Sequence, residues 1–370
     1  MSDHRHNFDK LPRWSWAAPA ISGCLLALEL GGLFAPDSLP FVILATIFLG
    51  GAIFAAVHHA EVLAIKVGEP LGSVLLALAI TVMEVAVILS VMTAGTVGSE
   101  AVARDTVFAA VMIVLNGIVG LCLVIGGIRH YEQGFRADGA AAILGVIATL
   151  ATICLILPNF TLTTPGPIYA PTQLGFVGVS SLVLYGTFLF VQAVRHRDYF
   201  LTELDLAPDI PIPESARPSG RMTSISALLL AFSLVTVILL AKALTPVVEL
   251  AVQNAGLPVA FVGVVIAAVV LLPEGLAALR AARRNRLQAS LNAALGSALA
   301  SIGLTIPAVA AVSLLLHKKL VLGLDPEGMT LLILTLFISS LTLATGRTTV
   351  LQGAIHLVIF SVFIVLAAVP

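Results

Sequence analysis

Leu75–Met92 reads LLALAITVMEVAVILSVM, an apolar run whose single ionisable side chain is Glu84. An α-helix rises about 1.5 Å per residue, so roughly 20 residues cross the ~30 Å hydrocarbon core of a bilayer. Strands of a membrane barrel would alternate apolar and polar residues, which this run does not do. The run therefore predicts a membrane-spanning helix with a carboxyl group near its middle.

The composition of the whole chain agrees with a membrane protein. Of the 370 residues, 59% are hydrophobic and 11% are charged, and the mean hydropathy is +1.08. Soluble domains have about 25% charged residues, so this surface carries too little charge to face water. Cys24, Cys122 and Cys154 lie inside apolar runs and are interpreted as packing residues. The apolar composition predicts the lipid bilayer as a partner, and a net charge of -1 argues against nucleic acid.

Similar apolar stretches recur along the chain and predict an all-α polytopic membrane protein with about eleven transmembrane helices. The stretches are Trp16–Ala35, Leu39–Ile65, Gly72–Thr93, Thr106–Ile128, Gly139–Leu157, Leu174–Val194, Ile225–Leu244, Pro258–Leu279, Gln288–Leu316, Met329–Ala344 and Thr349–Val369. A polar segment rich in acidic residues and proline interrupts them at 195–224.

This segment divides the chain into a tail (1–15), a leading helix (16–35), two five-helix repeats (36–194 and 225–370) and the linker between them (195–224). Two repeats with the same odd number of helices must have opposite orientations in the membrane. Inverted repeats of this kind are typical of secondary transporters.

The basic residues predict the orientation of the chain. With a cytoplasmic N-terminus, most of the 19 Lys and Arg residues lie on the cytoplasmic side, whereas Arg104, Lys318 and Lys319 lie on the opposite side. Cytoplasmic segments carry an excess of Lys and Arg. We therefore expect a cytoplasmic N-terminus and a C-terminus on the opposite side.

Two glutamates lie inside predicted spans, where a charged side chain costs about 2.5 to 3.5 kcal/mol on insertion scales. Glu84 and Glu274 each occupy the second helix of their five-helix repeat, and these matching positions favour a shared role in binding an ion or a proton. A protonated Glu84 bonded between helices and a Glu274 near the cytoplasmic end are the structural alternatives. Pro273 and Gly275 predict a weakened helix whose carbonyl groups could also bind an ion.

Two carboxylates that meet between the repeats would form a hard, oxygen-rich site for a hard cation or for protons. Empty and ionised, they would be costly to move through a low-dielectric barrier, whereas one divalent cation or two protons would neutralise them. The expected activity is the exchange of a cation against protons. No cofactor is predicted, and the sequence leaves the oligomeric state open.

Other polar side chains in the spans are candidate accessory ligands. Thr81 lies one turn before Glu84, and Asn116 and Ser297 lie in the third helix of each repeat. Packing or hydrogen bonding between helices explains Asn116 and Ser297 equally well.

Several further ionisable residues are interpreted as structural, solvated or interfacial groups. They are His58, His59 and Glu61 near the cytoplasmic end of the second span, together with Glu29, Glu249 and His356. A role of His58, His59 or the linker in regulation is left open.

These residues and their surroundings resemble the calcium/cation antiporter superfamily, specifically its cation/proton exchanger branch and the bacterial ChaA-like antiporters. The resemblance lies in Gly68–Gly72 leading to Glu84, in Pro273–Gly275, in Ala294–Ser297 continuing to Pro307, and in Thr345–Gly353. It implies a bacterial plasma (inner) membrane protein with one leading helix and two inverted five-helix repeats. The implied activity is exchange of Ca²⁺, Na⁺ or K⁺ for H⁺ by alternating access.

In that family a repeated Gly-Asn-x-x-Glu motif supplies the transport carboxylates, and Glu84 and Glu274 correspond to them by position. Ile80–Thr81 and Val270–Leu271 replace the Gly-Asn pairs, and Ala300 stands where many calcium/proton exchangers have Gln. These departures imply fewer neutral oxygen ligands beside the carboxylates than calcium/proton exchangers have. The resemblance to ChaA-like antiporters implies Na⁺ and K⁺ as substrates beside Ca²⁺.

Three other function classes fit the sequence less well. A passive cation channel needs a continuous pore, whereas paired carboxylates in inverted repeats favour alternating access. An intramembrane enzyme needs a nucleophile with a base, or a metal site, at membrane depth. An exchanger of organic solutes would be expected to have more embedded aromatic or Arg side chains than this chain has.

Overall fold

The computed structural model describes residues 11–35, 37–68, 71–94, 98–200 and 218–369. Within these ranges the α-helices are α1 (Arg13–Leu30), α2 (Leu39–Val67), α3 (Leu71–Ala94), α4 (Val102–Met112), α5 (Val119–His130), α6 (Ala137–Ala151), α7 (Pro171–Phe190), α8 (Gly220–Asn254), α9 (Phe261–Arg283), α10 (Leu287–Ala300), α11 (Ile306–Leu316), α12 (Pro326–Ala344) and α13 (Val350–Ala368). A π-helical segment joins α4 to α5 at Ile113–Ile118, and another joins α10 to α11 at Ser301–Thr305.

Two further π-helical segments extend existing helices. Thr152–Ile156 continues α6 into a 3-10 turn at Leu157–Phe160, and Val191–Arg195 continues α7. In the part of the chain that the structure describes, ten continuous helical stretches are long and apolar enough to cross a membrane. The prediction of an all-α polytopic membrane protein is confirmed. The leading helix α1 has 18 residues and is not among those ten stretches.

The largest difference from the predicted spans is the length of α8. The sequence predicts a span that ends at Leu244, with Lys242 at its end and Glu249 beyond it. In the structure α8 has 35 residues, continues through Pro246 and includes both side chains. A proline inside a membrane helix removes one backbone donor without ending the helix, because the carbonyl group that it frees can be bonded in other ways.

Three of the sequence predictions fall partly on residues outside the described ranges. These are residues 1–10 of the N-terminal tail, residues 201–217 of the linker, and Glu69 and Pro70 in the turn before α3.

The chain divides into two compact units. The first comprises Met1–Val87 and Ala207–Val248, which include α1, α2, most of α3 and most of α8. Its core is a cluster of apolar side chains from three helices. These are Leu25 and Leu26 of α1, Phe41 and Ala45 of α2, and Leu240 and Leu244 of α8.

Polar contacts also join α1 to α2 in the first unit. The hydroxyl of Ser22 is shared between the carbonyl oxygens of Ala18 in α1, at 2.8 Å, and Phe48 in α2, at 3.1 Å. Nε2 of His59 lies 3.0 Å from the carbonyl oxygen of Ser15. Because a carbonyl oxygen only accepts, the His59 ring donates from Nε2. The leading helix is therefore held by directional bonds as well as by apolar packing.

The second unit comprises Ile88–Leu206 and Glu249–Pro370. Glycines bring the backbones of its α5 and α13 close together. A Cβ atom at Gly353 would lie 2.6 Å from the backbone nitrogen of Val124 and 2.8 Å from the carbonyl oxygen of Gly120. A Cβ atom at Gly127 would lie 2.7 Å from the backbone nitrogen of Val350. Small residues permit this close packing, which contributes to helix association where lipid removes the usual hydrophobic driving force.

A two-stranded antiparallel pairing of β1 (Gln133–Gly134) with β2 (Arg347–Thr348) connects two loops of the second unit. Gly346 precedes β2 with a φ of 67°, a left-handed conformation that favours glycine. Thr349 then caps α13, with its backbone N–H donating to Oε1 of Gln352 at 2.9 Å. Thr345–Gly353, one of the segments that carry the family resemblance, thus contains a turn, a strand, a helix cap and a packing glycine.

The close approach of α5 and α13 predicts a specific cost for enlarging Gly353. Gly353→Ala places a methyl group against backbone atoms that cannot rotate away, and such overpacking costs about 1 to 3 kcal/mol. We expect a lower melting temperature in detergent. It is measured as the temperature at which half of the monodisperse chromatography peak is lost. Gly145→Ala on α6 is the matched control, because a Cβ atom there meets nothing within 4 Å. Equal stability of the two variants would contradict the packing argument.

Candidate functional site

Glu84 lies near the middle of α3 in the first unit, and its exposed fraction is 4%. Thr81, three residues earlier and one turn away on the same helix, is also buried. The Thr81 hydroxyl donates to the carbonyl oxygen of Ala77 at 2.9 Å. Its hydrogen is thus used within the helix, and the hydroxyl oxygen keeps lone pairs that can bind a cation.

Glu274 lies in α9 of the second unit and is half-buried. The helix α9 is continuous from Phe261 to Arg283, with Pro273 inside it. Proline removes only its own N–H, so the carbonyl group of Val269, four residues earlier, is the one that loses its helical donor.

Gly275 has a packing function in the structure. A Cβ atom at this position would lie 3.1 Å from Cδ1 of Ile118, which belongs to the π-helical segment between α4 and α5. The glycine therefore lets α9 approach that segment next to Glu274. Close packing against this segment explains the small residue after the carboxyl group.

Ser297 is half-buried in α10, a helix that packs against α9. Its carbonyl oxygen accepts from the backbone N–H of Ser301, the first residue of the π-helical segment between α10 and α11. Each of the two third helices of the predicted repeats therefore contains a π-helical segment. Such segments occur frequently at functional sites, and the apolar sequence around them had no feature that predicted them.

Asn116 lies inside the other π-helical segment and is fully buried. Its Oδ1 lies 3.1 Å from Nδ1 of His356 on α13, and its Nδ2 donates to Oγ1 of Thr335 on α12 at 2.9 Å. Nε2 of His356 lies 3.1 Å from Oγ1 of Thr342. The interfacial alternative for His356 is wrong, because its side chain is buried in this network.

Among the sequence-predicted residues, the structure places Thr81 and Glu84 on one helix of the first unit. It places Glu274, Asn116 and Ser297 in the second unit, where α9, α10 and the Asn116 segment pack against one another. Within the described residues, no group of three or more His, Cys, Asp or Glu side chains is positioned to hold a metal ion.

The solvated interpretation of His59 is also wrong. His59 is fully buried in the first unit and bonded to the backbone of α1. Its neighbour His58 is half-buried, with ring centroids 5.2 Å from Trp14 and 5.6 Å from His59. Glu61 is exposed, as expected for an interfacial group. Contact with the leading helix contributes to the burial of His59, and the sequence of α2 by itself does not predict that contact.

Comparison with known proteins connects these features to a family. The sequence pattern of the sodium/calcium exchanger protein family matches residues 38–194 and again residues 225–369. The chain belongs to this family. Its members belong to the calcium/cation antiporter superfamily, as the resemblance implied, and are membrane transporters of cations. An exchanger family is a transporter family and not a family of catalytic enzymes.

Two curated relatives cover nearly the full chain. The chain is 52% identical to the protein y4hA of Sinorhizobium fredii (strain NBRC 101917 / NGR234) over 360 residues, 97% of each chain. It is 33% identical to the sodium-potassium/proton antiporter ChaA of Escherichia coli (strain K12) over 332 residues, 89% of this chain and 90% of that one.

A solved structure shares the exchanger fold. The structure of the Ca²⁺/H⁺ antiporter protein YfkE superimposes with a TM-score of 0.72 at 15% identity, covering 97% of this chain and 100% of that chain. At this level of identity the likeness concerns the fold alone.

The position of Thr81 predicts an effect on cation affinity. Thr81→Val keeps the shape of the side chain and removes its oxygen. We therefore expect the cation concentration for half-maximal exchange to rise about 5- to 30-fold, which corresponds to the loss of one polar contact of about 1 to 2 kcal/mol. The measurement is exchange in reconstituted vesicles over a range of cation concentrations. Thr149→Val is the matched control, since the Thr149 hydroxyl makes the same bond within α6, to Gly145 at 2.8 Å. An unchanged Thr81→Val concentration dependence would exclude the hydroxyl as a ligand.

Proposed function

We propose that this exchanger is a secondary-active cation/proton antiporter in which Glu84 and Glu274 bind both the transported cation and protons. The observation that carries the proposal is the burial of Glu84, an ionisable side chain with 4% exposure inside an apolar helix of an exchanger-family protein. A carboxyl group in such an environment is retained at a cost, and intramembrane carboxyl groups commonly mark ion and proton pathways.

Competition for the carboxylates explains how the two fluxes are coupled. In a low-dielectric barrier an ionised carboxylate is costly unless a cation or a proton neutralises it. A transporter that changes its access only when the site is neutral therefore moves cations in one direction and protons in the other. Two carboxylates allow two protons to exchange for one divalent cation.

The cation classes that we propose are Ca²⁺, Na⁺ and K⁺. ChaA, a relative over most of the chain, is named as a sodium-potassium/proton antiporter, and YfkE, which shares the fold, is named as a Ca²⁺/H⁺ antiporter. Carboxylate and hydroxyl oxygens are ligands that hard cations of all three kinds accept. Thr81 and Ser297 are the accessory oxygen donors of this proposal.

The alternating access of this proposal rests on inverted repeats. The two matches of one family pattern, at residues 38–194 and 225–369, support an internal repeat. The bias of Lys and Arg supports a cytoplasmic N-terminus and a C-terminus on the opposite side. The bacterial relatives y4hA and ChaA support a location in the bacterial plasma (inner) membrane.

Proton flux in sealed vesicles tests the proposed site. Addition of Ca²⁺, Na⁺ or K⁺ to vesicles that contain the wild-type protein should release protons, reported by a pH-sensitive dye. Glu84→Gln and Glu274→Gln should each reduce this signal at least about 100-fold, because a neutral amide neither releases a proton nor neutralises a cation.

Glu327→Gln is the control, since Glu327 is exposed in the first turn of α12. Retained exchange in both the Glu84 and Glu274 variants would overturn the assignment of the site. Cation flux without opposing proton flux in the wild type would instead favour a passive channel.

The proposed orientation can be tested with single cysteines in a chain whose three native cysteines are replaced by alanine. Arg284 and Lys319 are both exposed, on loops at opposite ends of the proposed spans. A membrane-impermeant maleimide added to intact spheroplasts should label Lys319→Cys and should label Arg284→Cys only after the cells are opened. The reverse pattern would invert the proposed topology.

A further inference from the structure

The buried network around Asn116 joins three helical stretches of the second unit. Asn116 lies between α4 and α5, Thr335 and Thr342 lie on α12, and His356 lies on α13. All four side chains are buried. Such a network is a costly arrangement unless each donor and acceptor has a partner.

The hydrogen bonds form one consistent set. Oδ1 of Asn116 can only accept, so Nδ1 of His356 carries the proton and donates to it over 3.1 Å. The neutral ring then accepts at Nε2 from the Thr342 hydroxyl over 3.1 Å. Nδ2 of Asn116 donates to Thr335, whose hydroxyl in turn lies 3.4 Å from Sδ of Met112. The neutral imidazole therefore connects an amide to a hydroxyl with a single proton.

The network occupies one side of the π-helical segment, and α9 occupies another. Asn116 bonds to α12 and α13, whereas Ile118, two positions further along, contacts Gly275 of α9. Residues two apart on a helix point in nearly opposite directions. The amide of Asn116 is thus directed toward α12 and α13, and Ile118 packs against α9, the helix that carries Glu274.

We propose that His356 is a positioning residue for cation exchange. It fixes the Asn116 amide, and through that amide it holds the π-helical segment against α9 beside Glu274. This inference rests on the proposed function of Glu274 in cation binding. In this role His356 acts through its hydrogen-bonding pattern, so a side chain with the same donor and acceptor substitutes for it without a titrating ring.

Two substitutions at His356 separate this role from a purely structural one. His356→Gln keeps one donor for Asn116 and one acceptor for Thr342. We therefore expect its half-maximal cation concentration to stay within about twofold of the wild-type value and its pH profile to be unchanged. His356→Leu removes both groups, and we expect the half-maximal cation concentration to rise about tenfold, corresponding to the loss of roughly 1.4 kcal/mol. The measurement is cation-dependent proton flux in vesicles with matched protein content.

Variants of the partners test the path of the effect. Asn116→Ala should raise the half-maximal concentration to the same degree as His356→Leu, and the double variant should exceed neither single variant, because both changes break one connection. Thr342→Val should have an intermediate effect. Thr330→Val on the same helix is its control, since the Thr330 hydroxyl bonds only within α12, to Pro326 at 2.7 Å, and is exposed.

The outcomes distinguish the two proposals. A His356→Gln variant with a displaced pH profile would overturn the positioning role in favour of a titrating one, and a His356→Leu variant with wild-type affinity would overturn it altogether. If His356→Leu does not fold, His356→Gln and Thr342→Val still provide the test. If the wild type shows no exchange, the antiporter proposal fails, while non-additive thermal stabilities of the Asn116 and His356 variants still report the contact itself.

Discussion

A carboxyl group inside an apolar helix limits what the surrounding protein can be. Its ionised form is poorly tolerated in the hydrocarbon region, so the group is stable there only when a proton, a cation or strong hydrogen bonds neutralise it. Glu84 is in this position, because the residues of α3 on either side of it are mostly apolar. A membrane protein that keeps such a group has either a structural use for a protonated carboxyl or a functional use for its change of charge. Membership of an exchanger family favours the second use.

Four buried polar side chains of the second unit meet the same constraint in a different way. Asn116, His356, Thr335 and Thr342 are neutral, and each finds partners among the others. The backbone satisfies itself through the helices, and glycines such as Gly353 allow those helices to approach until their backbones nearly touch. The second unit is therefore held together by packing and by a saturated network, and its half-buried carboxyl group, Glu274, lies on a helix that packs beside this framework.

Much of this architecture follows from the sequence because apolar runs of bilayer length are an unusually strong signal. The helices and the embedded glutamates were predictable from position alone. The extension of α8 through Pro246 was not, because proline ends helices in water more readily than in a membrane protein. The π-helical segments have no distinctive composition. Ser15, which bonds His59, lies 44 residues away from it, and Asn116, one of the two partners of His356, lies 240 residues away. The burial of both histidines therefore depends on tertiary contacts that a local pattern does not contain.

The hydrogen bonds that a polar side chain already makes distinguish a candidate cation ligand from a residue that holds helices together. The Thr81 hydroxyl gives its hydrogen to its own helix, and this leaves oxygen lone pairs of the kind that a hard cation binds. The Asn116 amide accepts from His356 at its carbonyl oxygen and donates to Thr335 from its amino group, so both ends of this side chain are held in the network and one of the oxygen's two lone pairs is already used. Two residues of similar polarity, both embedded in apolar helices, thus differ in what they can offer an ion. The difference lies in their partners, and for that reason the sequence alone placed both in one class of candidate ligands.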